Sequence, residues 1–149
     1  VFPDNLAVVP YLDGAGVACF ALNEILLQSH GGVIRILPAI AGDWSGTFQL
    51  RAEGGFLVGA DFKDGIAQFV EIRSLLGYPC TVANPWGGKC VVRKDGEVIL
   101  TAEDPVFSFA TKKGAAYLLE REDRPVSEGQ VVKVGDFPNA TPGMPGRGW

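Results

Sequence analysis

The sequence predicts a mainly β protein, an antiparallel β-sandwich of about eight or nine short strands preceded by one apolar α-helix. Three observations carry that reading. Gly-rich and Asp-Gly turn signals recur roughly every eight to twelve residues, the spacing expected of a sandwich or barrel. The segments between them alternate apolar and polar residues with a period of two. Only one stretch, from Val17 to about Ser29, keeps a helical run going, and a strand follows it directly.

Val1 to Leu12 carries Pro3 and Pro10 and reads as an extended surface strap. Asp13 follows, and an Asp just ahead of a helix accepts the orphan N–H groups of its first turn. Polar side chains in the helix are confined to Asn23, Glu24 and Gln28, and the last two lie one turn apart. Val17, Phe20, Leu22, Ile25 and Leu26 wrap most of the rest, the pattern of a helix packed on two sides. One side is the β domain; the other calls for a partner this chain does not contain. A second copy of the helix is one such partner, which predicts a homodimer through Val17 to Leu27. His30 near the helix end and Gly31-Gly32 form the expected stop.

Val33 to Leu37 is the first predicted strand, closed by Pro38. Thr47 to Glu53 alternates Phe48, Leu50 and Ala52 against Gln49, Arg51 and Glu53. Phe56 to Phe62 and Ile66 to Ser74 flank Lys63-Asp64-Gly65, the strongest hairpin signal in the chain, with Ile66, Gln68, Val70 and Ile72 on one face. Pro79 to Asn84 and Lys89 to Arg93 are expected to pair around Asn84-Pro85-Trp86-Gly87-Gly88. Lys94-Asp95-Gly96 leads into Glu97 to Thr101. Val106 to Thr111 and Ala115 to Glu120 are expected to pair around Lys112-Lys113-Gly114. The organisation is then 1–32 leader and helix, 33–120 sandwich, and a Pro- and Gly-rich irregular or disordered tail over 121–149.

Composition narrows the function. The chain has 149 residues, 47% of them hydrophobic, and a net charge of -4 without a block of like charge. That balance offers no footprint for nucleic acid, and no apolar run is long enough to cross a membrane as a helix. It begins at Val1 rather than Met, as a piece of a longer or processed chain would. A single histidine and three cysteines without metal-ligand spacing predict no metal site, and no cofactor motif is present. Ser29 and His30 are direct neighbours, which is not the spacing of a nucleophile and its base. Trp44 and Trp86 fall in loops, where a tryptophan either stacks on a sugar or lids a small core. Cys80 and Cys90 read as opposed across a hairpin, able to bridge if oxidised, or as two buried thiols.

A resemblance sharpens this. The run ALNEILLQSHGGVIRILPAI, then Trp44, LRAEGGFLVGADFKDG and IRSLLG, resembles the C-terminal part of family 95 glycoside hydrolases over Asp13 to Gly77. Those enzymes remove α-linked fucose, in some members galactose, and place an (α/α)6 catalytic barrel before a C-terminal β-sandwich. The resemblance implies that Val17 to Ser29 is the last barrel helix and that most of the barrel is missing here. It also implies a catalytic role for Asp13, which would work with amide side chains to activate water, while an acid elsewhere protonates the leaving group with inversion. This sequence departs from the family where Ala15-Gly16-Val17 replaces the usual Asn-Phe-Gly, and where Ala7 stands in place of a substrate-contacting histidine. The implied function is an accessory domain of an α-L-fucosidase- or α-galactosidase-like enzyme, buttressing the barrel, inactive alone, and exported or periplasmic. The glycan substrate would meet the whole enzyme. The alternative is a free-standing carbohydrate-binding or protein-interaction module using Trp44 and Trp86.

Overall fold

The structure, a computed structural model, describes residues 12–126, with side chains from Gly14 onward. Most of the expected leader strap and the tail beyond Val126 lie outside the described residues. Helix α1 spans Leu12–Leu26. The strands are β1 Leu27–Gln28, β2 Arg35–Ile36, β3 Gly46–Ala52, β4 Phe56–Lys63, β5 Ile66–Ser74, β6 Cys80–Ala83, β7 Cys90–Lys94, β8 Glu97–Ala102, β9 Val106–Phe109 and β10 Ala116–Arg121.

Two antiparallel layers face each other. The larger is a six-stranded sheet in the order β3-β4-β5-β10-β7-β8. The smaller is built from the pairs β1-β2 and β6-β9, joined where Ile34 bridges Val82 in parallel. That joint is held by Ile34 N–H donating to Thr81 O and Ala83 N–H donating to Ile34 O, both at 2.9 Å. Alternation decides what each layer buries: Phe48, Val58, Val70, Ile72, Val92 and Leu119 point inward from the large sheet, and Ile34, Ile36, Val82 and Phe107 meet them. Phe109 of β9 meets Tyr117 of β10 across the gap, ring centroids 5.2 Å apart, a contact worth about 0.5–1.5 kcal/mol beyond its buried area.

The two Lys-Asp-Gly turns form the hairpins their chemistry demands. Asp64 and Gly65 have φ 50 and 73, and Asp95 and Gly96 have φ 52 and 83, the two consecutive positive values of a tight right-twisting hairpin. Other expectations are corrected. The segments around Asn84 to Gly88 do not form a hairpin: β6 pairs with β9 while β7 pairs with β10 and β8, so this loop crosses between layers. Lys112-Lys113-Gly114 crosses too, because β9 and β10 lie in different sheets. Each expected pairing satisfied local turn chemistry, but core burial places the strands in opposite layers. Cys80 and Cys90 are accordingly not hairpin partners; both are buried free thiols, and Cys19 is exposed on the helix.

The helix is also shifted. It starts at Leu12, so Asp13 lies inside its first turn and not at the cap position ahead of it. It ends at Leu26, where Leu27-Gln28 turns extended to pair with β2, and His30 instead opens a short 3-10 turn. Gln28 Nε2 donates to the Glu24 backbone oxygen at 3.2 Å, which anchors this exit. On β5 the inward face runs through Ala67, Val70 and Ile72, with Ile66 turned out to 53% exposure. The cause is a bulge: Asp61 faces Phe69 and Phe62 faces Ala67, leaving Gln68 without an opposite residue.

Candidate functional site

The most unusual surface of the molecule is α1. From Gly14 to Asn23 every residue is exposed, including Val17 at 69% and Phe20 at 66%. Only its last turn is tied down: Leu37 N–H donates to Leu26 O at 2.8 Å, Ala39 N–H to Ile25 O at 3.5 Å, and Leu26 packs on the core. An apolar helix standing uncovered among the described residues contradicts the usual amphipathic arrangement, in which the apolar stripe faces the core. Side chains of this kind in water mark an interaction surface.

The helix root continues into further exposed apolar groups. Residues 37–39 lead to the loop where Trp44 N–H donates to Ala41 O at 3.1 Å, and Gly65 N–H then donates to Trp44 O at 2.8 Å. Gly65 must be glycine here: its φ is 73, and a Cβ would lie 3.0 Å from the Gly42 Cα. That close approach fixes the Trp44 loop against the β4–β5 turn. Trp44 is 44% exposed, and Ile66 beside the turn is exposed as well. A groove of about 720 Å³ adjoins them, lined by Asp61, Lys63, Ile66, Phe69, Arg121 and Arg124 among others.

Of the residues singled out from the sequence, Trp44 and Trp86 come to the same end of the sheet. Trp86 Nε1–H donates to Ala67 O at 2.7 Å, two residues along from the Gly65 contact. Its ring packs on the core, and its own N–H is held by Asn84 Oδ1 at 3.1 Å. A tryptophan with its polar edge engaged and its ring half-buried lids the sandwich. Asp13 stands apart, at the helix end remote from the sandwich. Thirteen residues of helix separate it from Leu26, a rise of about 20 Å. The buried thiols offer no nucleophile: burial pushes Cys80 and Cys90 up to about 12, with the charge of Glu120 adding to the effect at Cys90. Among the described residues no group of three His, Cys, Asp or Glu is placed to hold a metal ion, and no helix is long and apolar enough to cross a membrane.

Sequence reasoning missed a second polar site on the outward face of the large sheet. The register aligns Gln49, Gly59, Glu71, Leu118 and Arg93 across five strands. Alternating Glu and Arg on β5 and β10 look like solvated positions, yet Glu71 is 5% and Glu120 1% exposed. Glu120 is fully engaged, accepting from Arg93 Nε at 2.5 Å and from Val126 N–H at 2.8 Å. The strip from Arg124 to Val126 crossing this face carries the only local signal, Pro125, and nothing in it announces the contact.

A family model described as the C-terminal domain of glycoside hydrolase family 95 matches residues 28–119. No curated protein matches the chain.

Proposed function

Because the chain belongs to glycoside hydrolase family 95, in that family's C-terminal domain, we propose that it is an accessory β-sandwich that buttresses a helical catalytic barrel and does not hydrolyse glycans by itself. The observation that carries this reading is the exposed apolar body of α1, tied to the sandwich by its last turn alone. The proposed docking surface runs from Val17, Phe20 and Leu22 through Trp44 to Ile66, with the barrel as its occupant. Covering apolar area of this kind yields about 25 cal/mol per Å² removed from water, so three or four such side chains supply several kcal/mol of docking energy.

The parent activity we assign is hydrolysis of α-linked fucose or galactose with inversion. Inversion needs two carboxyl groups about 6.5–9.5 Å apart across the scissile bond, in a concave site that excludes bulk water. The Trp44 and Trp86 loops supply no such pair. Asp13, carried about 20 Å out on the helix, would enter the barrel and not the sandwich, which suits a role as the water-activating base there. The reading as a free-standing glycan module retains one supporting feature, the exposed Trp44, but Trp86 serves that role poorly because its indole N–H is engaged.

The test is an aryl α-fucoside and α-galactoside assay on two proteins: this 149-residue chain, and a polypeptide carrying the barrel. The chain alone gives no turnover above buffer, and Asp13→Asn in the longer polypeptide loses about 10²–10⁴-fold in rate while staying folded. Saturable release of the aryl group by the chain alone overturns the accessory reading. Near wild-type activity of the Asp13→Asn enzyme removes Asp13 from catalysis.

A further inference from the structure

The outward face of the six-stranded sheet holds two buried donors that nothing in the protein satisfies. Gln49 Nε2 and Arg73 Nε are both shielded from solvent and both lack an acceptor. They lie close together by register. Gln49 faces Gly59, Gly59 faces Glu71, and Arg73 is the next outward residue along β5. Gly59 has no side chain, so the strand between Gln49 and Glu71 presents bare backbone and the floor dips there. A groove of about 840 Å³ runs on from this point over Glu71, Arg73, Arg93, Leu118 and Glu120. That volume is in the range of small-molecule sites. Leaving two buried donors without acceptors costs about 1–3 kcal/mol each, which a folded domain normally avoids.

We propose that this depression, bounded by Gln49, Gly59, Glu71 and Arg73, binds a neutral polyhydroxyl ligand, a saccharide, at a place independent of the helix interface. The chemistry follows from the charges. Gln49 Nε2 and Arg73 Nε require acceptor atoms. Glu71 is an acceptor with about four lone-pair sites, so it takes a ligand O–H alongside the partner it already has. A hydroxyl group satisfies both demands, because its oxygen accepts while its hydrogen donates. A phosphate or carboxylate also offers acceptors, but it would meet the Glu71 charge at short range, and Arg73 alone leaves the pair neutral. Arg93 does not change the balance, since its guanidinium is already committed to Glu120. Leu118, in line between Glu71 and Arg93, gives the C–H face of a sugar ring an apolar contact.

The experiment is a ¹⁵N-¹H titration of the full 149-residue chain with lactose, and separately with glucuronate and inorganic phosphate. Lactose shifts the Gln49, Gly59, Glu71 and Arg73 amides in a saturable way at millimolar concentration. Gln49→Leu and Arg73→Lys each weaken that binding about tenfold, while Arg51→Ala on the neighbouring exposed position leaves it unchanged. Gln49→Leu removes one orphaned donor, so its unfolding temperature stays at or above that of the parent and loss of binding is not loss of fold. No shifts up to concentrations on the order of tens of millimolar, tighter binding of phosphate or glucuronate, or lactose shifts confined to the Trp44 and Trp86 loops each overturn the proposal. None of these outcomes depends on whether α1 docks a barrel.

Discussion

Replacing Trp86 with phenylalanine separates a lid from a sugar platform. The substitution keeps an aromatic ring over the core but removes the 2.7 Å hydrogen bond from the indole N–H to the carbonyl of Ala67. Ala67 is buried, so its oxygen loses a partner where water has little access. An unsatisfied buried acceptor costs about 1–3 kcal/mol, and we expect Trp86→Phe to fall in that interval. Trp86→Ala removes the ring as well, but the ring is half-buried, so the cost stays below the upper end of the about 3–5 kcal/mol seen for full burial. For a domain of this size each kcal/mol lowers the unfolding temperature by roughly 3–6 °C. Urea unfolding followed by circular dichroism reads the loss, with an unchanged m-value showing that the native fold remains. A Trp86→Phe protein within 0.5 kcal/mol of the parent, combined with lost saccharide binding, would refute the lid.

Three further outcomes follow from the same geometry. At pH 8 a disulfide-exchange reagent should modify Cys19 at once and reach Cys80 and Cys90 only on unfolding, since burial holds both thiols protonated. For the same reason stability should be independent of these thiols below the ordinary thiol value of 9.0 and fall as pH rises from there to about 12, because the unfolded chain releases its thiol protons first; a stability that rises across that window contradicts their burial. Gly65→Ala should cost more than Gly96→Ala: both adopt positive φ, but only at Gly65 would the added Cβ meet backbone, 3.0 Å from Gly42 Cα and 3.1 Å from Ala41 O. Equilibrium unfolding of the pair should show about 1 kcal/mol for the strain alone at Gly96, and equal costs at the two sites would show that the Trp44 loop is not seated on the turn.

Local chemistry was readable and long-range pairing was not. Lys63-Asp64-Gly65 and Lys94-Asp95-Gly96 announce their turns because φ > 0 at two successive positions admits few residue types. Asn84 to Gly88 carries equally good turn residues, yet it joins two layers. Whether a turn folds back or crosses over is decided by which face of the next strand finds core, information spread over Phe107, Tyr117 and Leu119 far along the chain. The helix was legible as a helix from its apolar run, but its end was not. Leu27 and Gln28 suit a helix by propensity, and pairing with Arg35 and Ile36 overrides that preference. The candidate surfaces divide the same way. An apolar helix with few polar positions advertised a missing neighbour directly. The outward cluster around Gly59 did not, because Gln49, Glu71 and Arg73 occupy positions where polar side chains ordinarily face water. Only the register brings the three together and only burial distinguishes them.

The central claim is that α1 and its root are built to be covered by a catalytic barrel. Amide hydrogen exchange along Gly14 to Asn23 tests it most directly, measured in this chain at low micromolar concentration and again in a polypeptide that includes the barrel. The account predicts exchange within the fraying regime in the chain alone, with β5 and β10 strongly protected, and protection of the helix approaching that of the strands once the barrel is present. Equal, rapid exchange of the helix in both proteins would contradict it.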